Sequence, residues 1–531
     1  MSWPFGDILR TTQSIVDKNQ PALMHGNVVR SWGDLTRRSD SLAGAFAAAR
    51  VAPGDKVAHY MRNSPAYLET SSACFVSGLI HVNVNYRYTE NELYYILDNS
   101  DAAVIVYAQE FAPQIASLQP RLTRAKLFVE ISDGPVVNAF AESYEALAEA
   151  GYAAPAGRIG QDDQLFIYTG GTTGLPKGVM WRQADIWAAL GSGAPAPGMP
   201  PPQSLAELGG FIANGAGGIP TMICPPLMHG AGYLIAVHQM LRGGAIITVP
   251  GTNFEAETAL DIIASQKPKL ISIVGDAFGR PMMKALDANP GRYDLSSVMM
   301  MVSSGAMWSP DVKAGLGRHL PAAMMLDALG SSEVLGMGMS AAPGAASGAA
   351  TRFKADDRTK VVTDDGREVV PGSGEIGRIF RGGPIPLGYY KDPEKSARAF
   401  TEYNGARYAV PGDYATIEQD GSITLIGRGS QVINTGGEKV FVEEVEEALK
   451  THPAVDDALV FGVADEKWGQ AVTAVVEAHT PVNPEELVTH LRATLAPYKS
   501  PKRIIFTQKV PRGPNGKANY EAARALAAAA T

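Results

Sequence analysis

Short apolar runs alternate along the chain with stretches whose apolar residues recur at helical spacing. Ala102-Ala103-Val104-Ile105-Val106-Tyr107 and Ala245-Ile246-Ile247-Thr248-Val249 read as strands. Residues 254–265 carry a helical period and lead into the strand-like Leu270-Ile271-Ser272-Ile273-Val274. That alternation predicts α/β layers with largely parallel strands. From about residue 361 the pattern changes. Turn pairs such as Asp365-Gly366 and Asp420-Gly421 separate short alternating strands, which predicts a smaller β-rich unit. The last hundred residues have a pattern of their own. Glu443-Glu444-Val445-Glu446-Glu447-Ala448-Leu449 opens a helix with carboxylates in its first turn, where the helix dipole favours them. A strand over Ala458-Leu459-Val460-Phe461-Gly462-Val463 and a second helix over 484–495 complete a compact α+β domain. Residues 192–220 are rich in Gly, Pro and Ala and read as a surface insertion, and the Ala-rich stretch 526–530 as a frayed helix end.

Length and charge narrow the function classes. At 531 residues the chain exceeds one hydrophobic core, since domains run to roughly 100–200 residues. The 45% hydrophobic and 19% charged content is that of an ordinary globular protein. A net charge of −8 argues against a nucleic-acid partner, because phosphate backbones call for a basic stripe. Cys74 and Cys224 lie in apolar or Pro-rich context and read as small buried residues of a reducing cytosol rather than as a disulfide or a zinc site. The first residues lack a basic segment followed by an apolar core, so no signal peptide is read. No apolar run approaches the ~18 residues needed to span a bilayer. The expected location is cytoplasmic.

Candidate chemistry concentrates in Tyr168-Thr169-Gly170-Gly171-Thr172-Thr173-Gly174-Leu175-Pro176-Lys177-Gly178-Val179. Its glycines let backbone N–H groups approach closely, its threonine hydroxyls can donate to phosphate oxygens, and Lys177 supplies a cation. The loop is not a Walker loop, which needs Gly before the Lys and Ser or Thr after it; Pro176 and Gly178 stand there instead. Three further segments follow in order: Gly330-Ser331-Ser332-Glu333; Pro411-Gly412-Asp413-Tyr414 with Gly427-Arg428; and Pro511-Arg512-Gly513-Pro514-Asn515-Gly516-Lys517. In this order and spacing the four segments resemble the adenylate-forming superfamily of acyl-CoA synthetases, peptide-synthetase adenylation domains and beetle luciferases. The resemblance runs over nearly the whole chain. It implies an α/β fold with a large N-terminal adenylation domain over 1–429, built from two α/β layered sheets and a β-rich subdomain. A small mobile α+β domain follows over 430–531, with a hinge near Ser430.

Residue roles are carried over by position. Thr169, Gly170, Gly171, Thr172, Thr173, Gly174 and Lys177 fit a cradle for the β- and γ-phosphates of ATP. Glu333, with Thr172, would face Mg²⁺, an ion that takes one or two carboxylates together with substrate phosphates, and Ser332 would donate to the α-phosphate. Where the superfamily places an aromatic residue for adenine, this chain has Leu329. Ser304, Gly305 and Ala306 resemble the segment that approaches adenine, and Asp413 with Arg428 the pair that holds the ribose. Lys517 resembles the lysine that bridges carboxylate and α-phosphate during adenylation and is dispensable for thioester formation. Members usually carry Asp or Lys at the hinge; Ser430 keeps a small polar residue able to absorb backbone rotation. Gly436 and Gly437, within Asn434-Thr435-Gly436-Gly437-Glu438-Lys439, resemble the loop that lines the pantetheine tunnel for CoA. His229, in Pro225-Pro226-Leu227-Met228-His229-Gly230-Ala231-Gly232, is assigned to substrate positioning and not to general base work.

Within the superfamily the chain looks most like steroid side-chain acyl-CoA ligases and their fatty-acid-activating relatives. Val179-Met180-Trp181-Arg182, Val274-Gly275-Asp276-Ala277-Phe278-Gly279-Arg280-Pro281, Ile385-Pro386-Leu387-Gly388-Tyr389-Tyr390 and Val82-Asn83-Val84-Asn85-Tyr86-Arg87-Tyr88 carry that likeness. It implies that the 275–281 segment borders the acyl pocket, where the small Ala277 and Gly279 leave space for a bulky apolar tail. The insertion at 192–220 then has a second reading, as a lid over that pocket. The expected activity is an ATP-dependent, AMP-forming acyl-CoA ligase acting on an apolar monocarboxylate, with ATP, CoA and the acid as partners. Its rivals are an acyl-AMP ligase that loads a separate carrier protein, and a non-catalytic acyl or nucleotide sensor. Resembled enzymes often form homodimers; no feature here specifies one.

Overall fold

The computed structural model describes residues 3–157, 159–169, 176–195, 198–306, 308–343, 352–428, 432–435, 438–465, 469–493, 495, 497–513 and 516–530. Its large N-terminal part is built on two sheets of eight strands each among the described residues. In the first, Met324–Ser331, Met300–Ser304, Leu270–Ile273, Thr221–Ile223, Ile246–Thr248 and Pro21–His25 lie side by side and parallel, with an antiparallel strand at each edge. Every residue of Leu270–Ile273 is buried, as expected of a strand covered by helices on both faces. The order reverses at Thr221–Ile223, which pairs with Leu270–Ile273 on one side and Ile246–Thr248 on the other. Chain leaving neighbouring strands at such a point diverges to opposite faces and opens a crevice at the strands' carboxyl ends.

The second sheet orders Gly388–Tyr389, Lys177–Arg182, Gln164–Thr169, Ile80–Asn83, Lys56–Tyr60, Ala102–Ala108, Leu127–Ile131 and Glu142–Ser143. Helices Pro65–Ser77 and Gly230–Met240 pack in one hydrophobic core with both sheets, around Tyr67, Phe75, Tyr233 and Val237. The β-rich unit expected from residue 361 is a seven-stranded, largely antiparallel sheet over residues 352–428. Residues 192–220 are more than an irregular insertion. They contain the helix Leu205–Ala213, capped by Ser204 Oγ on the Glu207 N–H. They are also tied to the far end of the Gly230–Met240 helix, where the Gly218 N–H donates to the Arg242 carbonyl at 2.6 Å and the Ile219 N–H to Gln239 Oε1 at 3.1 Å. No helix among the described residues is long and apolar enough to cross a membrane. Both cysteines are free and buried.

The small C-terminal part has its own five-stranded sheet and its own core, including Val445, Leu449, Val460, Val472 and Leu487. Its first helix, Val442–Lys450, is strongly two-sided and buries Val445, Glu446 and Leu449. Glu446 is a carboxylate in that buried face. Its Oε1 accepts from the Val460 N–H at 2.8 Å and from the Tyr520 hydroxyl at 2.9 Å. Burial, reinforced by the nearby Glu443 charge, pushes its pKa up from the ordinary 4.5 to about 8. A carboxyl with a raised folded-state pKa contributes stability that is complete below its unfolded value and is lost as pH rises through the folded one. The protein is therefore expected to lose stability between pH 4.5 and about 8. Glu446→Gln, which keeps an oxygen for both donors, should flatten that slope in thermal unfolding followed across this range.

Candidate active site

Three segments that reach the crevice leave the carboxyl ends of strands of the first sheet. Thr221–Ile223 runs into the loop that carries His229, Leu270–Ile273 into Val274 and Gly275, and Met300–Ser304 into Gly305 and Ala306. Met324–Ser331 turns back on itself, so that Ser331 pairs with Val334 and Ser332 and Glu333 form the tip of a tight hairpin. Glu333 is thus presented by a β-turn and not by a helix N-terminus. From the second sheet, Thr169 ends Gln164–Thr169 and is paired with Lys177, the first residue of the next strand. Residues 170–175 lie outside the described residues, and with them Gly170, Gly171, Thr172, Thr173 and Gly174.

The hairpin tip and Lys177 meet through Tyr389. Its hydroxyl donates to Glu333 Oε1 at 2.9 Å, and Lys177 Nζ lies 5.0 Å from the centre of its ring. Trp181 Nε1 donates to the Ser332 carbonyl at 2.8 Å and fixes the same tip from the other side. Leu329 is buried in the core of the large unit.

Two asparagines hold the His229 loop. Asn63 accepts from the Leu227 N–H at 2.7 Å and donates to the Pro225 carbonyl at 3.1 Å. Asn83 accepts from the Tyr168 N–H at 2.6 Å and donates to the carbonyls of Tyr168 at 2.9 Å and Met228 at 2.6 Å. The ring so placed is largely enclosed, and its Nε2 has no hydrogen-bond partner among the described residues. Burial, with the positive charges of Lys517 and Arg87, pushes its pKa down to about 3. Such a ring is neutral at physiological pH and ill-suited to act as a proton store, while an orphaned ring nitrogen can orient a substrate oxygen.

Gly305 adopts a left-handed backbone (φ +85°) and is exposed. A Cβ built there would sit 3.8 Å from Lys517 Cε and 3.8 Å from Ala231 Cβ. The C-terminal unit therefore places Lys517 over the end of the Met300–Ser304 strand, beside His229. Asp413, buried at 4% exposure, is the cross-strand partner of Arg428. The Arg428 side chain, Ser430, Gly436 and Gly437 lie outside the described residues.

Ala277 and Gly279, expected beside the acyl pocket, have close protein neighbours. Gly279 faces protein: an added Cβ would lie 3.0 Å from Val312 Cγ1 and 3.1 Å from Trp308 Nε1. Its smallness lets the helix Gly275–Ala288 approach Pro310–His319. Beside Ala277 the space is filled by the loop bearing Lys517, since a Cβ on Gly516 would be 2.5 Å from Ala277 Cβ. Sequence reasoning gave no role to Asn63, Asn83, Trp181 or Tyr389, although the last three lie inside runs that carried the family likeness.

A bulkier residue at 279 is expected to overpack the two helices and destabilise the protein by about 1–3 kcal/mol. Urea unfolding of Gly279→Val checks this, and the relative activity on different acids should stay as in the wild type. For His229, the pH profile of kcat/KM is expected to show no limb that vanishes in His229→Gln, because the imidazole does not titrate near its ordinary value of 6.5.

Residues 12–390 match the family described as AMP-binding enzyme, and residues 444–517 the AMP-binding enzyme C-terminal domain. The chain is 40% identical over 538 residues to a 3-oxocholest-4-en-26-oate--CoA ligase of Rhodococcus rhodochrous, covering 99% of this chain and 96% of that protein. It is 39% identical over 519 residues to a medium/long-chain-fatty-acid--CoA/3-oxocholest-4-en-26-oate--CoA ligase of Mycobacterium tuberculosis, covering 95% and 92%. Among solved structures, the anthranilate CoA ligase AuaEII in complex with anthranoyl-AMP superposes with a TM-score of 0.83 at 22% identity, covering 100% of this chain and 98% of that one. MatB from Rhodopseudomonas palustris with bound ATP gives 0.79 at 22% identity, with 99% of each chain covered.

Proposed function

The chain belongs to the AMP-binding enzyme family, and from that premise we propose that it is an ATP-dependent, AMP-forming acyl-CoA ligase for an apolar monocarboxylate, a fatty acid or a steroid side-chain acid. One observation carries the reaction type: Lys517, from the C-terminal unit, lies over Gly305 and beside His229 at the mouth of the large unit. A cation delivered there suits a reaction in which two anions must meet. The names of the relatives at 40% and 39% identity support the acid class.

In the first step a carboxylate oxygen attacks the α-phosphorus of ATP and pyrophosphate leaves. Lys517 would offset the charge shared by carboxylate and α-phosphate, where a preorganised donor acts most strongly. Lys177 and Thr169, at the two ends of the Gly/Thr loop, would hold the outgoing phosphates. Asp413, with Arg428, would hold the ribose. Glu333 fits a magnesium ligand: Tyr389 engages only its Oε1, and Mg²⁺ takes one or two carboxylates beside substrate phosphates. When bound, the ion would offset phosphate charge. In the second step the CoA sulfur attacks the acyl carbonyl, AMP leaves and the thiol proton passes to solvent. For that step the 430–531 domain would turn about Ser430, withdraw Lys517 and bring Gly436 and Gly437 to line the thiol's path. His229 would orient the carboxylate throughout.

The test is incubation with Mg-ATP, CoA and short, medium, long and steroid side-chain acids, reading AMP and thioester by mass spectrometry. AMP and thioester together for one acid class are expected. AMP without thioester would move the reading to carrier-protein loading, and no acid-dependent AMP would overturn it. Lys517→Ala is expected to cut adenylation about 100-fold or more. It should still convert a synthetic acyl-adenylate and CoA to thioester.

A further inference from the structure

Every residue of the strand Ile80–Asn83 is buried. Its side chains alternate, so Ile80 and Val82 enter one core while His81 and Asn83 face the other side of the sheet. Asn83 holds the loop before His229 through the Met228 carbonyl. His81 meets the helix that follows that loop. Its ring stacks on Tyr233, with centroids 4.4 Å apart and planes 9° from parallel. Tyr233 stands one turn after His229, and its N–H donates to the His229 carbonyl at 3.0 Å. Two residues of one strand thus grip the chain on either side of His229.

His81 is itself held in one orientation. His59 Nδ1 lies 3.0 Å from the Val57 carbonyl, which can only accept, so that nitrogen carries a hydrogen. Burial pushes the His59 pKa down to about 3 and keeps the ring neutral, which leaves its Nε2 as an acceptor. His81 Nδ1, 3.3 Å away, must then donate to it. The other group near His81 Nδ1 is Ser71 Oγ at 3.5 Å, and it gives its own proton to the Tyr67 carbonyl at 2.8 Å. Tautomers are therefore dictated from a backbone carbonyl up to the ring that touches Tyr233. Tyr67 closes the cage, its ring centre 5.7 Å from that of His81 and 5.8 Å from that of Tyr233.

We propose that His81, locked by His59 and acting through the Tyr233 ring, is a positioning residue that aims His229 at the acid. This rests on the ligase reading above. The stack fixes how the first turn of the helix Gly230–Met240 is rotated about its axis, and His229 rides on that turn. Asn83 is tied to Tyr168 as well as to Met228. Among the described residues, the polar and ring contacts of His81 are instead with His59, Ser71, Tyr67 and Tyr233. His81 therefore governs the acid side of the site and leaves ATP binding alone.

The test pairs two substitutions in the full-length protein. His81→Phe keeps a ring on Tyr233 and loses the donor to His59. His81→Asn keeps a donor near the place of Nδ1 and loses the ring. Both are expected to lower the midpoint of urea unfolding, so lost stability does not separate them. The kcat/KM for the acid most active in the panel above is expected to fall about tenfold in His81→Asn, as for a reacting group turned out of line. The KM for ATP should stay as in the wild type, and His81→Phe should keep wild-type kinetics. In a His229→Gln background His81→Asn should cost nothing further, because the two act as one unit. Equal loss in His81→Phe, a parallel rise in the KM for ATP, or full additivity with His229→Gln overturns the proposal. Tyr233→Leu against Tyr233→Phe repeats the comparison from the other ring if a His81 variant does not fold.

An activity-independent readout accompanies these assays. In protein with carbon-13 in its histidine rings, the His229 signal is assigned by its loss in His229→Gln. That signal should shift in His81→Asn and keep its place in His81→Phe. No shift in His81→Asn, or equal shifts in the two variants, overturns the proposal. Failure of the ligase reading would show separately, as wild-type protein that forms no AMP with any acid, and the histidine spectra would then decide alone.

Discussion

The site depends on one amide. Asn83 is 6% exposed and stands at the end of a strand of the second sheet. Its three hydrogen bonds join Tyr168, two residues before the Gly/Thr loop, to Met228, one residue before His229. Those two segments belong to different sheets and could otherwise slide past each other. A buried amide with its groups satisfied resists such sliding, because any shift leaves a desolvated donor or acceptor without a partner. The relative placement of the segment entering the Gly/Thr loop and of the His229 ring is thus set by one buried side chain.

The chemistry of the pocket follows from uneven charge. The protein is acidic overall, at −8, yet the charges of Lys517 and Arg87 bear on His229, and Lys177 lies against the Tyr389 ring whose hydroxyl meets Glu333. The neutral His229 is a product of the same field, since cations around it and burial beneath it both disfavour a further proton. A cleft of this sign attracts a polyphosphate and an acid together.

Much of this was legible in sequence where the signal is local. The strand expected at 270–274 is Leu270–Ile273, the one at 102–107 is Ala102–Ala108, and the helix expected at 443–449 is Val442–Lys450. Each is decided by its own apolar period. Glu333 could be recognised by position, but its setting could not: a carboxylate after two serines reads equally as a helix start, and the hairpin pairing of Ser331 with Val334 decides it. Tyr389 and Asn83 passed without a role because their partners are 56 and 145 residues away, and single-sequence patterns carry no register at that range. What Ala277 and Gly279 lie against was not legible for a related reason. Small size marks a close approach without naming what approaches, and here it is the Lys517 loop in one case and a packed helix in the other.

The C-terminal unit seals its own core, with Val445, Leu449, Val460 and Leu487 turned inward on one another. Its dealings with the larger body include the Lys284–Asp456 tie, the seat of Gly516 on Ala277 and the Phe441 ring against that of Tyr414. In evolutionary terms this is a seam. A C-terminal unit from a relative could be grafted here provided it kept an aromatic ring at Phe441 and the Arg512 fork on Asp457 and the Gly516 carbonyl. The two interiors can therefore diverge separately, one on each side of the join.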